Sequence, residues 1–226
     1  MGLIKNLFSA EGLIRLLYFL PIFLITITVH ECAHGYIAYK MGDPTAKNMG
    51  RLTLNPFKHM DPIGFVMLMI VGFGWAKPVQ INPRNFKNPK AGMAVSALAG
   101  PASNILMAAG GAFILGFINF LYFNYAKQQS TFVEMARVFF NYFMMLNTYF
   151  AVFNLIPVPP LDGSRIVTYF LPPKLGYYYN YLERYSFLVL FLLLYTGILR
   201  IPLSFLSDLI VKAITWIFNF VPFLLL

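Results

Sequence analysis

The chain has 226 residues, of which 59% are hydrophobic and 11% charged, against roughly 25% charged in an ordinary soluble domain; this points away from a soluble globule and toward a membrane protein. The formal net charge of +9 does not mark nucleic-acid binding, because the basic residues lie between apolar blocks and form no stripe interleaved with aromatics. The single cysteine, Cys32, excludes an internal disulfide and a cysteine-built zinc finger, leaving histidine and carboxylate as the available metal-ligand types.

The first apolar block, Leu13 to Tyr39, rises about 40 Å as a helix, enough to cross a hydrocarbon core of about 30 Å. Lys5 and Arg15 precede it in the manner of a signal peptide, but the run continues to Val29 with no small-residue cleavage site, so it reads as a retained helix. Met41 to Pro62 is polar and turn-rich. The following run, Ile63 to Trp75, carries Gly64, Gly72 and Gly74 and is too short to span, which predicts a re-entrant or interfacial piece. Residues 76–89, with Pro78, Pro83 and Pro89 around Val79, Gln80 and Ile81, read as a short strand and loop.

Ala91 to Tyr125 forms a second long block, opening with small residues that allow close helix approach. A third, Phe132 to Ile156, ends at the turn Pro157–Pro160, with a short helix expected to restart at Leu161. A polar patch around Lys174 to Arg184 is followed by two apolar runs, Tyr185 to Leu199 and Leu203 to Leu226, broken at Arg200 and Pro202. The expected architecture is thus an all-α multi-pass membrane protein. It has five or six transmembrane helices and a short re-entrant or β segment between the first two long ones. With no repeat, low-complexity tract or long linker, residues 1–226 read as one integral-membrane domain. Eight of the seventeen Lys and Arg lie between Lys40 and Lys90, against Asp43 and Asp61 alone, which places that stretch, and the site near it, on the cytoplasmic side.

His30, Glu31, Cys32, Ala33 and His34 spell HExxH inside the first helix. The i, i+4 spacing puts both imidazoles on one face, where they can share a zinc ion, with Glu31 beside it as a general base. An acidic residue at the centre of a membrane helix costs about 2.5–3.5 kcal/mol on insertion scales, which weighs against a packed structural histidine pair. A catalytic zinc takes three protein ligands and keeps one position open. His59, Asp43, Asp61 and Asp162 are the candidates for the third, and Asp162 alone follows a spanning block and a proline turn. Cys32 reads as filler on another face of the helix.

Asn154 to Gly163 reads NLIPVPPLDG. HExxH paired with a distant Asp-Gly resembles the site-2 protease family of intramembrane zinc metalloproteases. The resemblance extends through Gly100-Pro101-Ala102-Ser103-Asn104 and the GWAKPV stretch from Gly74 to Val79. It implies Zn2+ held by His30, His34 and Asp162, Glu31 as catalytic base, and Asn104 and Asn154 near the substrate backbone. An amide can both donate to and accept from an extended peptide, although the same residues also suit bonds between helices. The resemblance further implies membrane-spanning protein substrates in a prokaryotic plasma membrane, cut within or near the bilayer. Ser164 stands where compact members often have a second glycine, and the expected form lacks an appended PDZ or CBS module. Helix-weak substrates are expected, because a helical peptide hides its scissile carbonyl, and the Ile81 region is a candidate to pair with an unwound substrate. The competing readings are a prenyl-protein processing peptidase, a metal-binding or transport protein without protease activity, and an inactive scaffold. A transporter would not require Glu31 and would be expected to show repeats.

Overall fold

The computed structural model describes residues 9–71, 74–125 and 130–219. Gly72 of the expected re-entrant run and the end of the run to Leu226 lie outside them. The chain divides into two compact units, residues 1–100 and 101–226.

In the first unit, α1 (Ala10–Lys40) starts where the Ser9 hydroxyl accepts the Gly12 N–H at 3.1 Å, a side-chain cap that satisfies one of the helix's orphan donors. It ends at Gly42, whose φ of 109° is disfavoured for any residue with a Cβ. The short α2 (Thr45–Asn48) follows. α3 (Pro62–Val71) opens with the Asp61 carboxylate accepting from the Gly64 N–H at 2.9 Å. Its ten residues rise about 15 Å, half a bilayer core. The first turns of α4 (Pro89–Tyr125) complete the unit.

The expected strand is not there. Among the described residues, 76–82 form one isolated antiparallel bridge, Met60 to Ala76, and no ladder. The physical reason lies in where the polar groups go. Lys77 N–H donates to His59 O at 2.9 Å, Val79 N–H to Glu31 Oε2 at 2.8 Å, and Asn82 N–H to Asp43 Oδ2 at 2.7 Å. The Lys77 carbonyl accepts from Arg51 Nη2. Apart from the His59 carbonyl, side chains of α1 and the segment after it replace a neighbouring strand, so residues 77–82 form a strap held against α1.

Asp43 is the anchor of this strap. Fully buried, it accepts from the Thr45 N–H and hydroxyl, the Asn82 N–H and Asn85 Nδ2. Burial alone would raise its pKa, but the hydrogen bonds from Thr45, Asn85 and Asn82 outweigh it, and the net value lies below the ordinary 3.8. A depressed folded pKa gives stability that is complete above the unfolded value and is lost as pH falls through the folded one. Asp43→Ala is therefore expected to cost about 1–3 kcal/mol by stranding buried donors, seen as a lower melting temperature in detergent at pH 7. Acidification below pH 3.8 should narrow the gap between wild type and variant. Equal melting at pH 7 would dismiss the anchor.

In the second unit the rest of α4 packs with α5 (Thr131–Asn154) and α9 (Arg200–Asn219). Ala108, Ala112, Met144 and Ile214 form the core, with Ala109, Ile210, Val211 and Phe218 against it. Small side chains suit this seam, because helices in lipid associate by close packing more than by expulsion from water. Polar groups on these helices are bonded to one another: Asn104 Nδ2 donates to Asn147 Oδ1 at 3.0 Å, and Arg137 Nε to Asn119 Oδ1 at 2.7 Å. The remaining helices are α6 (Asp162–Phe170), α7 (Pro173–Leu182) and α8 (Ser186–Thr196).

Among the described residues the fold is all-helical, and three helical stretches are long and apolar enough to cross a membrane: Glu11–Lys40, Pro89–Tyr122 and Arg200–Phe218. The third apolar block forms a 24-residue helix, α5, long enough to span but carrying Glu134, Arg137, Asn141 and Asn147. The first tail run yields only the 11 residues of α8, stopped by Gly197 at φ 70°. Pro202 does not break α9 but sits in its first turn, where a missing N–H costs little.

Candidate metal centre

His30 and His34 lie one turn apart on α1, 3% and 7% exposed. Their Nε2 atoms converge to 3.0 Å with the rings edge-on at 89°. Two nitrogens each 2.0–2.1 Å from a tetrahedral zinc would stand about 3.3 Å apart, so the imidazoles already have nearly the spacing that an ion requires. His34 Nδ1 lies 2.7 Å from the Ser96 carbonyl on α4. A carbonyl only accepts, so Nδ1 carries the proton and Nε2 of the neutral ring presents its lone pair, the orienting contact that metal-binding histidines depend on.

Gly100 supplies the room. A Cβ built there would fall 2.4 Å from His34 Nε2 and 2.6 Å from His30 Cε1, inside any tolerable contact. The absence of a side chain at residue 100 is therefore what leaves space at the paired nitrogens. Nitrogen donors at this spacing, a fixed tautomer and a cradle that a Cβ would fill all fit a zinc ion. Glu31, the next residue along α1, is half-buried, and its Oε2 accepts the Val79 N–H.

Asp162 belongs to the second unit, as the first residue of α6, half-buried after the extended Leu161. The glycine that follows is required locally: a Cβ at Gly163 would come 2.2 Å from Leu155 O and 2.5 Å from Ile156 O. Asp-Gly is thus the sequence that lets a helix begin hard against the preceding turn. That turn and helix are tied further by Tyr179 Oη donating to Pro157 O and by the Arg165–Glu183 ion pair.

Of the remaining candidates, Asn104 is fully buried and bonded to Asn147, and Asn154 donates to Phe150 O of its own helix at 2.9 Å. Asp43 is occupied as described, Asp61 caps α3, and buried His59 bonds Thr53 O through Nε2 at 2.8 Å. Sequence reasoning named Gly100 and Val79 only as members of longer stretches and gave neither of them, nor Ser96, a role at the histidine pair or Glu31. Gly100 carried a usable signal, a glycine inside a helix; Ser96 and Val79 act through backbone atoms and carried none.

Two buried imidazoles one helical turn apart, sharing a face, with a glutamate next to the first, are the arrangement of a metallopeptidase. Residues 18–194 match the model of peptidase family M50, and the chain belongs to that family. It is 40% identical over 179 residues to YwhC of Bacillus subtilis, whose name describes a zinc metalloprotease, with 79% of this chain and 80% of that protein covered. It is 28% identical over 185 residues to Rip2 of Mycolicibacterium smegmatis, named likewise, covering 78% of this chain and 66% of that one. Rip2 of Mycobacterium tuberculosis is 29% identical over 155 residues, 67% of this chain and 56% of that one. No solved structure gives a significant match. The chain is a zinc metalloprotease of the site-2 type, a membrane peptide-bond hydrolase, and the metal-transport reading is not favoured.

Proposed function

We propose that His30, His34 and Asp162 hold the zinc and that Glu31 is the catalytic base. The observation that carries this is the pair of converging Nε2 atoms, with His34 oriented by Ser96 and the space left by Gly100. Zinc when bound supplies Lewis acidity, polarising a carbonyl and acidifying water. Glu31 takes the proton from the attacking water and returns it to the leaving nitrogen, which requires a carboxylate within hydrogen-bond reach of both. Asp162, projecting from the start of α6, supplies an oxygen ligand and a negative charge to complete a three-residue set.

In this reading both units serve one integral-membrane protease domain that acts on membrane-spanning proteins unwound near the scissile bond. Asn154 and Asn104 contact the extended substrate backbone. Asn154 has the stronger claim, since its carbonyl oxygen takes no hydrogen bond among the described residues. α5 and the tail helices bring the membrane segments to five or six, α3 is the re-entrant piece, and the basic loop sets the site toward the cytoplasm of a prokaryotic cell membrane.

Chelation of the purified protein is expected to abolish cleavage of a single-span substrate in liposomes, and stoichiometric zinc to restore it. Asp162→Ala should then bind zinc at least 10-fold more weakly while its helical circular dichroism is kept. Cleavage that survives complete metal removal would sink the assignment; wild-type zinc affinity in Asp162→Ala would remove Asp162 from the ligand set.

A further inference from the structure

We propose that the backbone N–H of Val79 is a positioning group for the reaction: it holds Glu31 in the orientation from which the carboxylate moves protons. The proposal rests on the assignment of Glu31 as the base. Glu31 reaches its working position through three rotatable side-chain bonds, and a base misplaced by about 1 Å loses up to about 100-fold in rate. Something must fix it. Val79 N–H donates to Oε2 at 2.8 Å, and Oε1 makes no hydrogen bond among the described residues, which leaves that oxygen to take the proton.

The donor is itself held in place. Two residues earlier, Lys77 N–H is bonded to His59 O and its carbonyl to Arg51. Three residues later, Asn82 N–H is bonded to Asp43. The Val79 side chain lies against α1 at Gly35, where a Cβ would come within 3.1 Å of Val79 Cγ1 and 2.8 Å of Leu52 Cδ2. The strap therefore cannot slide along α1 or lift from it without breaking one of these part-buried contacts, and its N–H stays aimed at one carboxylate oxygen.

The direct test replaces Val79 by its α-hydroxy acid analogue, which exchanges the N–H for an ester oxygen and keeps the side chain. Val79→Pro serves as a genetically simple second variant. The expected result for the ester and proline forms is a fall in kcat of roughly 10- to 100-fold, with KM within about two-fold and unchanged zinc content. A readout independent of turnover is amide hydrogen exchange at residue 79 in the metal-free protein, which should be at least about 10-fold faster in Glu31→Ala than in wild type. Wild-type kcat in the ester form, beside an inactive Glu31→Gln, overturns the positioning role and leaves the base assignment standing. A parallel loss of zinc and kcat in the ester form also overturns it, because Val79 would then support the metal and not the base. Full activity in Glu31→Gln overturns the base assignment and this inference with it.

Discussion

Glu31→Gln is expected to lower kcat by about 10²- to 10⁴-fold, the usual contribution of a positioned general base, while zinc content and melting temperature stay at wild-type values. Glutamine keeps the length of the side chain and an oxygen that can still accept the Val79 N–H, so the strap on α1 should remain in place. What it loses is the capacity to take up a proton. Because the two imidazoles are fixed by Ser96 and by each other, metal binding does not depend on the carboxylate. The measurement is cleavage of single-span substrates in liposomes beside metal analysis of the same preparation. Unimpaired cleavage would move the base elsewhere, and loss of zinc along with activity would make Glu31 a ligand.

Gly100→Ala should have an effect of comparable size by a different route. The added methyl would sit 2.4 Å from His34 Nε2 and 2.5 Å from its Cε1, on the atoms that would face the ion. The ring cannot simply rotate away, because its Nδ1 is bonded to the Ser96 carbonyl at 2.7 Å. Either the imidazoles turn from their common focus or α4 is pushed off α1. Zinc affinity is expected to fall at least 10- to 100-fold, the scale seen when groups orienting metal ligands are lost. The helix itself gains from alanine by up to about 1 kcal/mol, but overpacking a buried contact costs about 1–3 kcal/mol, so the metal-free protein should melt at or modestly below wild type while keeping its fold. Competition against a chelator of known affinity measures the first effect and thermal unfolding of the metal-free protein the second. Unchanged zinc affinity would show that residue 100 does not shape the pocket.

The long apolar blocks located the helices α1, α4 and α5 to within a few residues, because a predominantly apolar stretch of twenty or more residues has few alternatives to a helix in a membrane. HExxH located the two imidazoles for a simple reason: helical periodicity alone puts residues 30 and 34 on one face. Less was readable where the outcome depends on long-range partners. The alternation at Val79, Gln80 and Ile81 predicted a strand wrongly, since nothing in that pattern shows that Glu31, Asp43 and Arg51 take the polar groups a neighbouring strand would have used. Asp43 drew attention as a possible metal ligand for its charge. Its four hydrogen bonds come from Thr45, Asn82 and Asn85, and the last two are distant in sequence. The tail was harder still, because α8 is apolar throughout but only 11 residues long, and hydropathy cannot distinguish such a helix from part of a longer one.

The anchors of the strap lie outside the apolar stretch that carries the histidines. Asp43, Arg51 and His59 all follow the last residue of the Glu11–Lys40 span, and Asp43 is about 18 Å of chain rise beyond Glu31 if counted as helix. Yet through residues 77–82 they bear on a carboxylate inside that span. The groups that hold the strap therefore belong to the segment that follows the span, and not to the span that carries Glu31. On the proposed assignment of Glu31, a change in the segment after Asp43 that breaks these bonds would loosen the donor at Val79 and so bear on the base from beyond the span.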